Sequence, residues 1–540
     1  MSADAITLVN TRPSLDGERF HVIVIGGGIN GVAIARECAR AGRRTLLVEQ
    51  HDFAAGTTSR STRIIHGGLR YLEHGDIGQV RESLRERHWL LQQYPHLIHP
   101  LEFLLVLDGN SRRSALAVRT GLWLYRKIGR ANSGHDQSRT QQNKLERLLD
   151  AGKRLSVFSF NDAQCEFPER LVAEWLVESI EAGAVARNHT QVLAVEVQDR
   201  RAIGVILRDD FTGNEDHVGG AWIINATGPW ADSVCQRSRI RTDHAMVGGV
   251  RGSHIVLPKF AGAPEAAVYT EAVDGRPIFV IPWNEQLLVG TTEVPDGNDP
   301  GCVQPSADEI DYLLRSFFRL FPKTRVSEGD IRYAFAGVRP LPFSPKKSPS
   351  SVSRKHYLHD HATEGAAQMI SVIGGKLTTA GSLARECAAK IGLSMSPTAL
   401  DIVSEDSVDP MLEQWIDEIA EAGGISADTA RGIAAWYGKR ALAVASRARE
   451  SAEMRAPLCP HTTHIVAEAM DAFTNECACT LADVLLRRVP VALGACWSPS
   501  CSRDAARRVG VAMGWSEQHT AAELEAFERE RDAFLRQVKV

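Results

Sequence analysis

The sequence predicts an α/β protein, α+β overall: a Rossmann-like nucleotide-binding domain, a β-rich cap and an all-helical C-terminal domain. Three stretches carry that reading. "HVIVIGGGINGVAIARECARAGRRTLLVEQ", near the start, runs strand, glycine turn, helix and strand. Residues 245–340 favour short strands. The chain beyond about 405 keeps helical spacing almost throughout.

The elements follow in order. Residues 1–20 read as a flexible leader, lacking the basic and apolar regions of a secretory signal. Val22–Ile25 is a run of β-branched residues, which suits a buried parallel strand. Ile29, Val32, Ala33, Ala35 and Ala39 share a helical face, Gly42 stops that helix, and Thr45–Val48 is the next strand. Helical spacing returns from Ile77 to Tyr94, closed by Pro95 and Pro100, and Leu101–Leu107 reads as a strand. Ser111–Arg130 is basic and amphipathic, and residues 131–153 read as a polar loop. A helix over Arg170–Ala182, strands near 191–208 and a buried strand in "AWIINATGPWAD" come next. Within 245–340, "SHIVLP", "PIFVIPW" and "LLVGTTE" are strands. "SADEIDYLLRSFFRLFP" is a helix opened by a capping box from Ser306 to Glu309. "QMISVIGG" is another buried strand, continued by a helix in "KLTTAGSLARECAAKIG". The expected domains are a discontinuous nucleotide domain at 21–95, 155–240 and 340–395, a cap at 96–154 and 241–339, and a helical domain at 400–535.

Bulk properties exclude some classes. The chain has 540 residues, 44% hydrophobic and 24% charged, with a formal net charge of −4. Nothing in that balance suggests nucleic-acid binding, and no apolar run approaches the roughly 18 residues of a membrane span. Ten scattered cysteines fit a reducing cytosol and no disulfide framework. Cys459, His461, His464, Cys477, Cys479, Cys496 and Cys501 contain C-x-H-x-x-H and C-x-C pieces, but their spacing matches no standard zinc pattern. They read as buried cysteines and solvated histidines, and no metal is expected.

Gly26, Gly28 and Gly31 form G-x-G-x-x-G between strand and helix. The glycines allow a tight turn, close approach of the backbone to a pyrophosphate, and close helix packing. The helix N-terminus adds N–H groups and a positive dipole end. Glu49 closes the second strand about 20 residues on, where an acid accepts from ribose hydroxyls. A plain NAD enzyme would continue with regular βα units. This chain instead reaches "GTTSRSTRIIHGGLRY", whose Thr57, Thr58, Ser59, Ser61 and Thr62 hydroxyls suit a further cofactor contact. A second turn, Asn225-Ala226-Thr227-Gly228, and a third, Gly374-Gly375, each follow a buried strand. Three turns so widely spread suggest one long cofactor, and the pattern fits FAD.

These residues resemble the FAD-dependent, quinone-linked glycerol-3-phosphate dehydrogenases. The matching stretches include "VIGGGINGVAIA", "TSRSTRIIHGGLRYLEHGD", "INATGPWAD", "GSHIVLP", "VIPWNEQLLVGTTE", "AGVRPL", "SVIGGKLTT", "WYGKRA" and "TLADVLLRR", from about residue 20 to about 530. The resemblance implies a glutathione-reductase-type FAD fold, oxidation of sn-glycerol 3-phosphate to dihydroxyacetone phosphate, and reoxidation by ubiquinone or menaquinone. It implies a cytoplasmic protein held peripherally on the inner face of the cell membrane, with a homodimer among its forms. In the matched motifs the expected cofactor contacts include Arg63, His66, Gly68, Gly375, Lys376 and Leu377.

Substrate chemistry sets further expectations. Arginine suits a phosphate dianion, because its planar fork makes paired charge-assisted hydrogen bonds. Arg70, Arg339 and Arg354, in matched motifs, are expected to converge on it. Proton removal suits a histidine, and His254 and His66 are both candidates; the alternative is that both only hydrogen-bond within a core. Tyr71 and Thr378 are expected to position hydroxyls, and Lys376 to stabilise reduced flavin. Gly67 and Gly68 are expected to let the backbone near the flavin.

The chain departs from the family's pattern at Ala380 and Gly381, where a tyrosine and an arginine usually follow, and at Pro168 and Glu169, where paired acids are expected. Arg63 and Arg251 stand for lysines and Glu293 for an aspartate. The alternatives are an oxygen-using oxidase of the same phosphate, a flavin oxidase of amino or 2-hydroxy acids, and a flavin-binding protein without turnover. In "SRRSALAVRTGLWLYRKIGR", Arg112, Arg113, Arg119, Arg126, Lys127 and Arg130 interleave with Leu116, Leu122, Trp123, Leu124 and Tyr125. That pattern suits an anionic bilayer surface or a surface helix packed on the cap.

Overall fold

The structure, a computed structural model, describes residues 12–537 except 110, 112, 130–134, 150–154, 346–351, 353–354 and 394–410. Side chains at 70, 73–74, 135–140 and 411–414 are not described. Two sheets organise the described residues between Arg19 and Ile373.

The first sheet has the order β16-β17-β9-β1-β2-β6, with β7 and β8 continuing from β9. Its members are β1 (Arg19–Ile25), β2 (Thr45–Val48), β6 (Val185–Arg187), β7 (Thr190–Gln198), β8 (Arg201–Asp209), β9 (Glu215–Asn225), β16 (Tyr357–Asp360) and β17 (Met369–Ile373). From β17 through β6 the pairing is parallel. All four residues of β2 and all five of β17 are buried, as expected where helices cover both faces. The Ile29–Arg40 and Ala380–Lys390 helices pack against this sheet's core.

The second sheet has the order β14-β10-β13-β12-β11-β4-β5-β3, and β15 pairs with β10. It comprises β3 (Ile64–Ile65), β4 (Ile98–Leu107), β5 (Ser156–Cys165), β10 (Val247–Pro258), β11 (Ala267–Glu271), β12 (Pro277–Trp283), β13 (Gln286–Gly290), β14 (Val294–Pro295) and β15 (Tyr333–Pro342). The Ala307–Leu320 helix has the capping box expected at Ser306 and Glu309. Beyond residue 410 the described chain is helical, from Met411–Gly423 to Glu517–Phe534.

Several boundaries differ from expectation. Residues 12–18 are not a loose leader: Leu15 is buried, its N–H donates to Asp216, and Arg12 pairs with Asp209. The segment read as a loop at 131–153 contains a helix, His135–Leu148; Leu145 and Leu149 bury themselves against the second sheet, a packing term that a polar composition hides. The strand at 156–165 was expected in the nucleotide domain. It lies in the second sheet, because all ten of its residues pair antiparallel with β4.

Candidate active site

A cavity of about 640 Å³ opens between the two sheets. Its floor is the three predicted turns. Gly26 has φ +106°, and a Cβ there would meet Ala226 O at 2.7 Å. A Cβ on Gly31 would strike Gly26 O at 1.8 Å, so the helix can seat on the turn only with glycine there. Gly28 caps the helix with no side chain of its own, and Thr58 Oγ1 accepts from Ile29 N–H at 3.1 Å. Gly26, Gly28, Ala226, Thr227, Gly228, Gly375, Lys376 and Leu377 all line the cavity. These backbone cradles fit a dinucleotide pyrophosphate. Glu49 lines it at the end of β2 and accepts from Gly27 N–H at 2.6 Å and His51 N–H at 2.9 Å.

The loop after Phe53 forms one wall. Thr58, Ser59, Ser61, Arg63, His66, Gly68 and Tyr71 line it. Some of these groups are committed elsewhere. Ser59 Oγ donates to Ala54 O at 2.6 Å, and Ser61 Oγ accepts from Arg63 N–H at 3.2 Å. Arg63, expected to face the cofactor, places both terminal nitrogens on Glu169 at 2.9 and 2.8 Å and lies over the Trp283 ring. A buried guanidinium needs a paired anion, and Glu169 is that anion.

Gly67 and Gly68 stand where protein side chains come close, and Gly68 also lines the cavity. A Cβ on Gly67 would meet Tyr125 Oη at 2.2 Å, and one on Gly68 would meet the Tyr71 ring at 2.2 Å. The pair is small to admit protein side chains. Gly67 N–H donates to Asp162, which also accepts from Tyr125 Oη and Arg87. Thr378 is buried, lies outside the cavity wall, and accepts the His66 N–H at 3.1 Å. It fixes the backbone and is not placed to touch substrate.

His254, Arg339, Tyr71 and Lys376 line another part of the cavity. Arg339, on β15, donates to Thr291 Oγ1 at 2.8 Å and Thr292 O at 3.2 Å. His254, on β10, stacks on Phe335 at 5.0 Å and meets Thr62 Oγ1 through Nε2 at 3.0 Å. Burial, then the cations Arg339 and Arg63, lower its pKa to about 3, so its imidazole is neutral. Lys376 Nζ donates to Ser83 Oγ at 3.1 Å and sits 4.3 Å from the Tyr71 ring centre. His66 faces Tyr71 with ring centres 6.3 Å apart. Arg70 falls in the Leu69–His74 3₁₀ turn, but its side chain and all of Arg354 lie outside the described residues.

Sequence reasoning missed the far wall. Arg487, Glu530 and Phe534 reach the cavity from the helical tail, and Arg60 lies over Phe534. No local motif marks them, because their nearness is set by how the tail docks. Ala380 and Gly381 do not line the cavity. Gly381 instead sits beside the Glu86–Arg385 ion pair.

The cysteine and histidine set of the tail does not converge. Cys459 is near Cys496 and Cys501, whereas His464 stacks on Trp436 and pairs with Glu468. Cys479 packs on Asn188 instead.

Comparisons with known proteins agree with this geometry. Residues 21–380 match the family described as FAD dependent oxidoreductase, and residues 372–520 match the C-terminal domain of alpha-glycerophosphate oxidase. The cofactor is therefore FAD. A glycerol-3-phosphate dehydrogenase of Synechocystis sp. is 35% identical, over 89% of this chain and 90% of its own length. D-erythritol 1-phosphate dehydrogenase of Brucella abortus is 36% identical over 68% of this chain and 72% of its own length. The fold is that of the glycerol-3-phosphate dehydrogenase from Bacillus halodurans complexed with FAD, with a TM-score of 0.74, 22% identity and 97% coverage of both chains. The chain belongs to the glycerol-3-phosphate dehydrogenase family of FAD-dependent oxidoreductases.

Proposed function

We propose that this protein oxidises sn-glycerol 3-phosphate to dihydroxyacetone phosphate and passes the electrons to a membrane quinone. The observation that carries the reading is the group of Arg339, His254 and Lys376 on one FAD-binding cavity, in a chain 35% identical to a glycerol-3-phosphate dehydrogenase. FAD, when bound, supplies the two-electron acceptor.

The residues divide the remaining work. Gly26, Gly28, Thr227, Gly228 and Gly375 present backbone to the cofactor, and Glu49 takes its ribose. Arg339 holds the substrate phosphate, joined by Arg70 and Arg354 from the matched motifs, while Tyr71 orients the hydroxyls. His254 accepts the hydroxyl proton at Nε2, beside Thr62. Its neutral state leaves it able to accept, and the arriving dianion raises its proton affinity. His66 is the second candidate for that proton. Lys376 adds positive charge beside the cofactor turn.

The membrane half of the proposal rests on the Ala115–Gly129 helix. Leu116 and Trp123 are 73% and 59% exposed, next to exposed Arg119, Arg126 and Lys127. Leu122 and Tyr125 are buried inward, so the outward face is narrower than the sequence pattern. Among the described residues no helix is long and apolar enough to cross a membrane. Peripheral attachment at the inner face of the cell membrane, and assembly as a homodimer, belong to the same proposal.

A second reading is oxidation of a longer polyol phosphate, favoured by the 36% identity to D-erythritol 1-phosphate dehydrogenase. One experiment tests both. The flavin absorbance of the purified protein is followed anaerobically after adding glycerol 3-phosphate, D-erythritol 1-phosphate or an amino acid. Fast bleaching by glycerol 3-phosphate is expected. Bleaching by D-erythritol 1-phosphate alone selects the second reading, and bleaching by the amino acid alone removes both. Recovery of colour with a quinone analogue but slowly with oxygen is expected; fast recovery with oxygen makes it an oxidase.

A further inference from the structure

A second cluster of chemical groups sits at the edge of the first sheet, away from the cavity. β16 runs into the turn "HDHATEG", which folds His359, His361 and Glu364 together. One donor atom from each lies within 4.8 Å of the others. His359 Nε2 is 3.0 Å from Glu364 Oε1, and the two imidazole rings meet edge to face at 4.6 Å. His361 is wholly buried. Its Nε2 lies 2.8 Å from Ser371 Oγ. Its Nδ1 has no hydrogen-bond partner among the described residues and points toward Glu364 Oε2 at 3.7 Å.

We propose that His359, His361 and Glu364 bind a divalent transition-metal ion of the zinc class. Two imidazoles and one carboxylate are a donor set that zinc takes, whereas calcium and magnesium prefer all-oxygen surroundings. With Nε2–H donated to Ser371, the His361 lone pair is at Nδ1, on the side of the other two donors. A ligating histidine is commonly held by such a second hydrogen bond, which fixes its tautomer. His359 and Glu364 keep 29% and 13% of their side chains exposed, which leaves an entry path and room for water ligands.

The site is wired to the cofactor turn. Ser371 Oγ accepts from Asn225 Nδ2 at 3.0 Å, and Asn225 Oδ1 accepts from Thr227 Oγ1 at 2.7 Å. The competing cluster of Asp52, His189 and Asp483 is already neutralised, since Arg487 and Arg488 pair with its carboxylates.

Calorimetric titration of the chelator-treated holoprotein with Zn²⁺ tests the proposal. One saturable equivalent is expected. His359→Gln and Glu364→Gln, both at partly exposed positions, should each weaken it at least ~10-fold, with flavin absorbance and circular dichroism unchanged. Absence of saturable Zn²⁺ binding, or wild-type affinity in both variants, overturns it; a thiol site near Cys459 would produce the second outcome.

Discussion

Arg63 shows what a single residue decides. Its guanidinium is 1% exposed and is held by a carboxylate that is itself fully buried. Glu169→Ala leaves that cation uncompensated, and the expected loss is about 3–5 kcal/mol of stability. Urea unfolding of wild type and variant measures it; a loss under about 1 kcal/mol would mean water reaches Arg63. Replacing both partners by apolar residues is expected to restore much of the stability, since the cost lies in the stranded charge. The sequence shows both residues but not their meeting, because they stand 106 positions apart. His254 is the converse. Its motif drew attention to it, and the structure places it on the cavity, but only the packed surroundings explain why it stays neutral.

Elements were legible where the cause is local. The G-x-G-x-x-G turn, the capping box at Ser306 and the buried strand Met369–Ile373 all stand as read, because each is written in neighbouring residues. The helix at His135–Leu148 was not legible, since its apolar residues are few and matter only against the second sheet. The Ala115–Gly129 helix lies between these cases. Its period was visible, but not which apolar residues turn inward. With Leu116 and Trp123 outward, Trp123→Ala/Arg126→Glu is expected to lose most flotation with anionic vesicles. Wild type and variant floating equally would assign this face to another role. Arg126 also donates to Ser159 O, so Trp123→Ala alone serves as the control for local damage.

At the scale of the whole molecule, the helical tail is joined to the first sheet by charge. Asp52 receives Arg487 and Arg488, Arg170 pairs with Glu476, and Glu174 pairs with Arg440. His189 Nε2 lies 2.9 Å from Asp483. Burial alone would lower the His189 pKa, but Asp483, by charge and hydrogen bond, outweighs it and raises it to about 8. A histidine raised above its unfolded value of about 6.5 stabilises fully below that pH, and the contribution fades as pH rises through about 8. The shift corresponds to about 2 kcal/mol. His189→Gln is therefore expected to lower Tm at pH 6 and to change it little at pH 9; an equal loss at both would show that the ring acts by packing alone. The cavity itself is assembled from distant parts of the chain. Its glycine turns come from positions 26–31, 226–228 and 374–375, and Glu530 and Phe534 close its far side. Flavin retention is therefore expected to need these separated segments packed together: a fragment lacking the 374–375 turn is expected to purify without flavin absorbance, and one that keeps it would show that the first two turns suffice.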